Sequence, residues 1–347
     1  MACMLVNHWV QADDQVCMVT IDVSERDFYE LDSRVRRIAL GLSRESKNWR
    51  EFLANNLQRI RRLRGLICTL KPEVIVSFLD ATNVLVLLAA TGSGVAVIVS
   101  ERIDPRSHST AKVVRILRRL LYPRARALVV QTQEVSNWAR RVVKPTAVYV
   151  IPNPVSFTVH HRKVCETKRS YTILAMGRLE PQKGFDLLLE AFSRCCQGHL
   201  EWNLRIIGEG SHRERLLRLA EQLGIGDRVR LDRVITEPAT ALRDADLFVL
   251  SSRYEGFPNA LLEAMAAGLP VISFDCPSGP REIIRHGRNG ILVPPEDVGA
   301  LAQAMDRLMG TEHERSELAA GAADVTERFG FDRVMPMWRE LLRKAAN

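Results

Sequence analysis

Two glutamates, Glu255 and Glu263, stand eight residues apart in the stretch RYEGFPNALLEAMAAG, one on each side of a Gly-Phe-Pro-Asn turn. LFVLSS, just ahead of the turn, has the composition of a buried strand, and ALLEAMAAG after it reads as a helix ended by Gly268. Pro258 suits the first helical turn and Asn259 a position near its cap. The loop therefore delivers Glu255 and the backbone amides of Gly256, Phe257 and Asn259 to a strand end. A helix N-terminus placed there favours anions and supplies directed donors. Glu263 lies between Leu262 and Ala264, where a carboxylate is either exposed or satisfied by hydroxyl or other donors.

A second loop offers the complementary charge. YTILAMGRLEPQKGFD reads as strand, loop, helix, with Arg178 and Lys183 five residues apart beside Gly177 and Gly184. Two cations at a helix N-terminus suit a diphosphate. A third loop, IIGEGSHRE, brings Gly208 and Gly210 to another strand end, but it lacks the third glycine of a dinucleotide fingerprint and argues for no dehydrogenase. Asp244 and Asp246 form a D-x-D where a helix gives way to a buried strand, so they are expected to be structural rather than metal ligands.

These loops need a frame, and the chain supplies one twice. PEVIVSF, VAVIVS and ALVVQT in the first half read as buried strands, as do YTILAMG, WNLRIIG, DRVRLD, ADLFVLSS and LPVISFD in the second. Helical segments separate them, and the strands lack polar alternation, which implies parallel sheets covered on both faces. At 347 residues the chain has room for two such domains. The expected division is residues 1–155, a polar linker at about 152–170, a second domain over 170–330, and a terminal amphipathic helix over 331–347 that is free to pack back on the first domain. Ligands of doubly wound sheets gather at the carboxyl ends of strands, so two such domains are expected to face each other across a cleft.

The seven cysteines show no C-x-x-C pairing and read as reduced thiols. Charge is unevenly placed: residues 1–155 hold 23 Lys/Arg against 14 Asp/Glu, a net +9, and the remainder, with 26 against 27, is −1. In AKVVRILRRLLYPRAR, Val113, Val114, Ile116, Leu117, Leu120 and Leu121 alternate with Lys112, Arg115, Arg118 and Arg119 at helical spacing. Such a helix suits an anionic membrane surface or polyanionic ligand, or else its apolar side is simply core. Nucleic acid is not expected, because no aromatic-interleaved groove accompanies the charge.

Taken together, residues 171–295 resemble the donor domain of the retaining glycosyltransferases of family 4, whose fold is GT-B. The resemblance rests on Gly177-Arg178-Leu179 with Lys183-Gly184, on Gly208-Glu209-Gly210, on the segment from Glu255 to Glu263, and on HGRNGILVPPED. PEVIVSFLDATNV, VIVSERIDP, RRLLYPRARALVVQT and IPNPV extend it to a subgroup that builds bacterial surface or polyprenyl-linked glycans. The resemblance implies an α/β GT-B protein whose substrate is a nucleotide-sugar, with UDP favoured over GDP by the resemblance alone, and with no further cofactor and no metal. Arg178 and Lys183 would stabilise the diphosphate, Glu263 would bind the ribose hydroxyls, and Glu255 with the amides of the 256–259 turn would hold the sugar. Val234 and Ile235 would flank the base. The acceptor would be a glycan or a lipid-linked sugar at the cytoplasmic face of the inner membrane, approached through Glu101, Arg102, Arg59 and Arg62.

Three departures from the pattern stand out. The family's opening strand and glycine-rich loop have no counterpart ahead of LVNHWVQADDQVCMVTID, so the first domain is expected to lack them. This keeps open the alternative of a nucleotide-sugar-binding protein without turnover. Glu101-Arg102 stand where many relatives place a histidine, and Asp232 replaces the usual glycine in the base-binding turn.

Overall fold

The computed structural model describes residues 1–23, 30–44, 46–106, 111–142, 147–155, 170–234 and 238–346. It divides into two compact units, Met1–Ile151 with Met335–Asn347, and Pro152–Val334. Most of the expected linker, residues 156–169, lies outside the described residues, as does Ile235.

Unit 1 opens with α1 (Ala2–Gln11), β1 (Cys17–Thr20), β2 (Arg36–Ala39) and α2 (Trp49–Leu70). It continues through β3 (Val74–Phe78), α3 (Asp80–Ala90), β4 (Ala96–Ser100), α4 (Lys112–Leu121), β5 (Ala127–Val130), α5 (Gln133–Val142) and β6 (Ala147–Val150). Its strands form two parallel sheets, β1-β2 and β3-β4-β5-β6, with no ladder joining them among the described residues. Helix α3 is apolar nearly all round because it is buried nearly all round, from Asn83 to Ala90, against α2 and the four-stranded sheet. The long helix α2 is capped by Asn48, whose side chain accepts from the Glu51 amide, while Glu51 accepts in return from Lys47 N–H and the Asn48 side-chain amide.

Unit 2 is one six-stranded parallel sheet. Its strands are β7 (Tyr171–Met176), β8 (Trp202–Ile207), β9 (Val229–Asp232), β10 (Leu247–Leu250), β11 (Val271–Phe274) and β12 (Ile291–Val293). Its helices are α6 (Phe185–Cys195), α7 (Arg213–Gln222), α8 (Pro238–Asp244), α9 (Asn259–Ala266), α10 (Pro280–Ile283), α11 (Val298–Gly310), α12 (Glu312–Ala322) and α13 (Asp324–Phe329). Successive strand residues feed opposite cores: Leu247 and Val249 join the cluster under α6 and α11, and Phe248 and Leu250 the cluster under α8 and α9. Both faces are therefore covered, which is why these strands are unbroken apolar runs rather than alternating ones.

The final helix, α14 (Phe331–Ala346), buries Met335, Trp338, Leu341 and Ala345, and these residues belong to unit 1. Trp338 meets Trp9 of α1 edge-on, with ring centroids 6.1 Å apart, and Phe78 at the end of β3 at 6.4 Å. The aromatic spacing of the terminal segment thus serves the packing of the first unit. No described helix is long and apolar enough to cross a membrane.

Candidate active site

The sheet order in unit 2 is β12-β11-β10-β7-β8-β9, so the chain reverses its direction of travel between β7 and β10. At such a switch point the loops leaving two neighbouring parallel strands diverge and open a crevice at their carboxyl ends. The loop after β7 carries Gly177, Arg178 and Lys183, and the loop after β10 carries Glu255 to Pro258. The topology alone brings the two together.

Their contact is direct. Lys183 Nζ lies 2.6 Å from Glu255 Oε1, and the Ser252 hydroxyl donates to the same oxygen at 2.6 Å. Glu255 and Ser252 are buried, and the lysine end is 17% exposed. The lysine stem crosses Gly177, where an added Cβ would sit 3.1 Å from its Cδ and Cε, so any side chain there would push the stem aside. The two loops are stitched along their length. Ser251 donates to Lys183 O at 2.9 Å, Arg253 N–H to Gln182 O at 2.8 Å, and the Gln182 side-chain amide to Tyr254 O at 3.0 Å. Arg253 adds a bidentate pair with Asp186, at 2.9 and 2.8 Å.

Gly208 and Gly210 belong to the neighbouring loop after β8. Gly208 lies against the Gly177 carbonyl and Gly210 against the Leu179 backbone, too close in both cases for any side chain. This close approach lets Leu179 N–H donate to Glu209 O at 2.8 Å and His212 N–H to Leu179 O at 3.0 Å. Glu180 secures the junction by accepting from Ser211 N–H and hydroxyl, and those bonds, the backbone one first, hold its carboxyl below the usual range. The glycines of the third loop are thus a consequence of backbone packing beside Arg178, which is exposed and donates to Gln182 Oε1 at 3.1 Å.

Helix α9 begins at Asn259, directly after the turn, with Pro258 extended at φ −75° and ψ 101°. The amides of Gly256 and Phe257 have no acceptor among the described residues. The turn is held from behind by Ser278, whose hydroxyl donates to Gly256 O at 3.2 Å, and from one side by Asn153, whose amide donates to Asn259 Oδ1 at 2.5 Å. Glu263 is half-buried one turn into α9, and Val234 is exposed after β9. Asp232 pairs with Arg205 at 2.7 Å and Arg230 at 2.6 Å; burial works to raise its carboxyl, and the two guanidiniums hold it below the usual range. Asp246 of the D-x-D accepts from the Thr172 amide at 2.8 Å and so ties β10 to β7 at their amino ends, opposite the crevice.

In unit 1, Glu101 and Arg102 follow β4 and line a small cavity with Asp80 and Arg118. Glu101 is buried and accepts from Tyr122 OH at 2.6 Å, with Arg118 Nη1 at 3.4 Å. Burial pushes its carboxyl up, against the pull of Arg118 and Tyr122. The Arg102 guanidinium stacks over Phe78 at 5.1 Å and Trp338 at 5.5 Å. Arg59 donates to the Leu42 carbonyl at 2.8 Å and to Asn56 at 3.1 Å, so it is engaged in shaping its own loop, whereas Arg62 is exposed.

Helix α4 divides between the two readings of its apolar side: Leu121, Val114 and Leu117 meet the core, and a second apolar stripe faces outward. Val113, Ile116 and Leu120 are 54, 57 and 63% exposed, beside exposed Lys112, Arg115 and Arg119. Arg118 is turned inward together with Leu121, and has Glu101 and the Trp138 ring, 5.0 Å away, to receive it, while Val114 and Leu117 pack partly buried on the same core. Trp49, Phe52, Leu53 and Leu57 on the first turns of α2 are exposed as well.

Residues 156–325 match the family described as glycosyl transferases group 1, and residues 1–154 match the glycosyl transferase 4-like domain. An exopolysaccharide phosphotransferase of Streptomyces coelicolor is 37% identical over 222 residues, 63% of this chain. That relative is far longer, and the chain spans 23% of its length. The GalNAc-α-(1→4)-GalNAc-α-(1→3)-diNAcBac-PP-undecaprenol α-1,4-N-acetyl-D-galactosaminyltransferase of Campylobacter jejuni is 26% identical over 341 residues, covering 96% of this chain and 92% of its own. Among solved structures, Anabaena Alr3699/HepE in complex with UDP and glucose superposes with a TM-score of 0.81 at 16% identity, over 99% of this chain and 95% of its own. That likeness is one of fold, and the fold is GT-B.

Proposed function

The chain belongs to the group 1 glycosyl transferases, preceded by a 4-like first half, and on that premise we propose that it transfers a sugar with retention from a UDP-sugar to a glycan or polyprenyl-diphosphate-linked acceptor of a bacterial envelope. The observation that carries this reading is the meeting of Lys183 and Glu255 at the switch point, a cation suited to a diphosphate beside a carboxylate suited to sugar hydroxyls. The Campylobacter relative's lipid-linked substrate and the UDP bound to the Anabaena protein support the choice of acceptor and donor.

In this reading Arg178 and Lys183 neutralise the diphosphate, Glu263 accepts from the ribose hydroxyls, and the base lies beside Val234. Glu255 accepts from a sugar hydroxyl while the amides of Gly256 and Phe257 face the anionic end of the donor. The bond from the anomeric carbon to the phosphate oxygen breaks with its electron pair going to the diphosphate. The acceptor oxygen bonds to the same face, and its proton passes to the departing phosphate oxygen. The protein contributes position and charge stabilisation of an oxocarbenium-like state. On the acceptor side, Glu101 is held by Tyr122 and Arg118 in a geometry suited to a hydroxyl.

Calorimetric titration with UDP, and GDP as comparison, tests the donor assignment. UDP binding with GDP binding at least about tenfold weaker, some 1.4 kcal/mol, is the expected result. A folded chain that binds neither refutes it.

Helix α4 supports a membrane-surface role. Three exposed apolar side chains on one stripe, flanked by Lys112, Arg115 and Arg119, match an anionic bilayer in both hydrophobicity and charge. The double variant I116E/L120E is expected to lose most sedimentation with vesicles of anionic phospholipid while keeping its UDP affinity, since neither residue contributes to a core. Unchanged sedimentation would remove α4 from the docking surface.

A further inference from the structure

Glu255 Oε1 is shared. Lys183 and Ser252 both point at this one oxygen, each at 2.6 Å, yet they cannot have the same fate when a donor arrives. The Lys183 backbone is fixed, but its ammonium hangs on a flexible stem over Gly177 and remains partly exposed. Ser252 is 1% exposed and rigidly placed, since it follows β10 between Ser251, bonded to Lys183 O, and Arg253, bonded to Gln182 O and Asp186. A diphosphate competes for the lysine; nothing competes for the serine.

We propose that Ser252 is a positioning residue, the fixed half of a clasp on Glu255 whose movable half is Lys183. This deepens, and rests on, the reading of the crevice as a donor site. Lys183 satisfies the buried carboxylate. The donor diphosphate draws Lys183 away, and the carboxylate then keeps Ser252 as its partner and turns its open capacity to the sugar. Diphosphate capture and sugar recognition are thereby coupled through one oxygen. Binding of UDP, which brings no sugar, leaves Glu255 dependent on Ser252 alone, so the hydroxyl matters more in the UDP complex than in the empty protein.

That asymmetry gives the test, by titration of UDP into the full chain. Glu255→Gln is expected to bind UDP about tenfold more tightly, because Lys183 no longer leaves a charged partner; a hydrogen bond to a charged group has about this net worth. Charge removal alone also favours an anion, so the deciding arm is Ser252→Ala, which changes no charge. It is expected to weaken UDP about threefold or more, and Ser252→Cys, similar in size but a poor donor, should match it. In the Glu255→Gln background the same serine substitution is expected to have no effect, since there is no carboxylate left to hold. Ser252→Ala binding UDP as the unsubstituted chain does, or weakening it equally in both backgrounds, overturns the clasp and leaves the donor site standing. Failure of the unsubstituted chain to bind either UDP or GDP overturns the donor site itself, and the clasp with it.

Discussion

Replacing Glu255 with alanine is expected to lower turnover about 10³-fold while UDP affinity stays equal or rises. The two halves of this result have one cause. Glu255 sits on the loop after β10, and its partner is the lysine that the diphosphate recruits. Its removal takes nothing from the nucleotide's own contacts and releases Lys183 to meet the phosphates. What is lost is the carboxylate that would orient the sugar as positive charge develops at its anomeric carbon, an interaction strengthened in the transition state and so expressed in kcat. Release of UDP from a UDP-sugar that the unsubstituted chain turns over measures the first half, and calorimetry with UDP the second. Equal loss of both would assign Glu255 to the nucleotide instead. Retained turnover would remove it from the reacting centre.

Much of this site was legible in the sequence because the information there is local. Strand, loop and helix follow one another within some twenty residues around Lys183 and again around Glu255, and parallel strands covered on both faces announce themselves as unbroken apolar runs. Strands β1, β2, β6 and β12 were less visible: β2 is basic, with Arg36 and Arg37 in it, and β12 has only three residues. The stitching of the site was not legible at all. Ser252, Gln182 and Arg253 look like ordinary loop residues, and their roles depend on β7 and β10 being neighbours, a matter of strand order rather than of spacing. Asn153 meets Asn259 across 106 positions of sequence. Helix α4 is where pattern decided least: its spacing fitted both a surface stripe and a core face, and the partners that bury Arg118 beside Leu121, Glu101 and Trp138, lie in other elements.

The second large effect concerns Lys183, which the geometry makes both a ligand residue and a counter-ion. Lys183→Ala is expected to weaken UDP about 10- to 100-fold, the worth of a charge-assisted hydrogen bond, with Arg178 left to hold the phosphates. It is also expected to destabilise the chain, because Glu255, with a side chain 7% exposed, keeps only the Ser252 hydroxyl. Breaking a fully buried pair from one side costs about 3–5 kcal/mol. The partly exposed lysine end lowers that to about 2 kcal/mol here, as solvent screening weakens the original pair. The combination Lys183→Ala with Glu255→Gln separates the two roles: stability should return, because no charge is left without a partner, and affinity should not. Urea unfolding of the two variants and the unsubstituted chain reads the first quantity and UDP titration the second. If Lys183→Ala unfolds at the same urea concentration as the unsubstituted chain, the carboxylate is held by its serine and the turn alone, and the ion pair then serves binding rather than the fold. If stability falls and the second substitution restores it, the charge that readies this crevice for a diphosphate is also what lets a carboxylate wait there, buried, for a sugar.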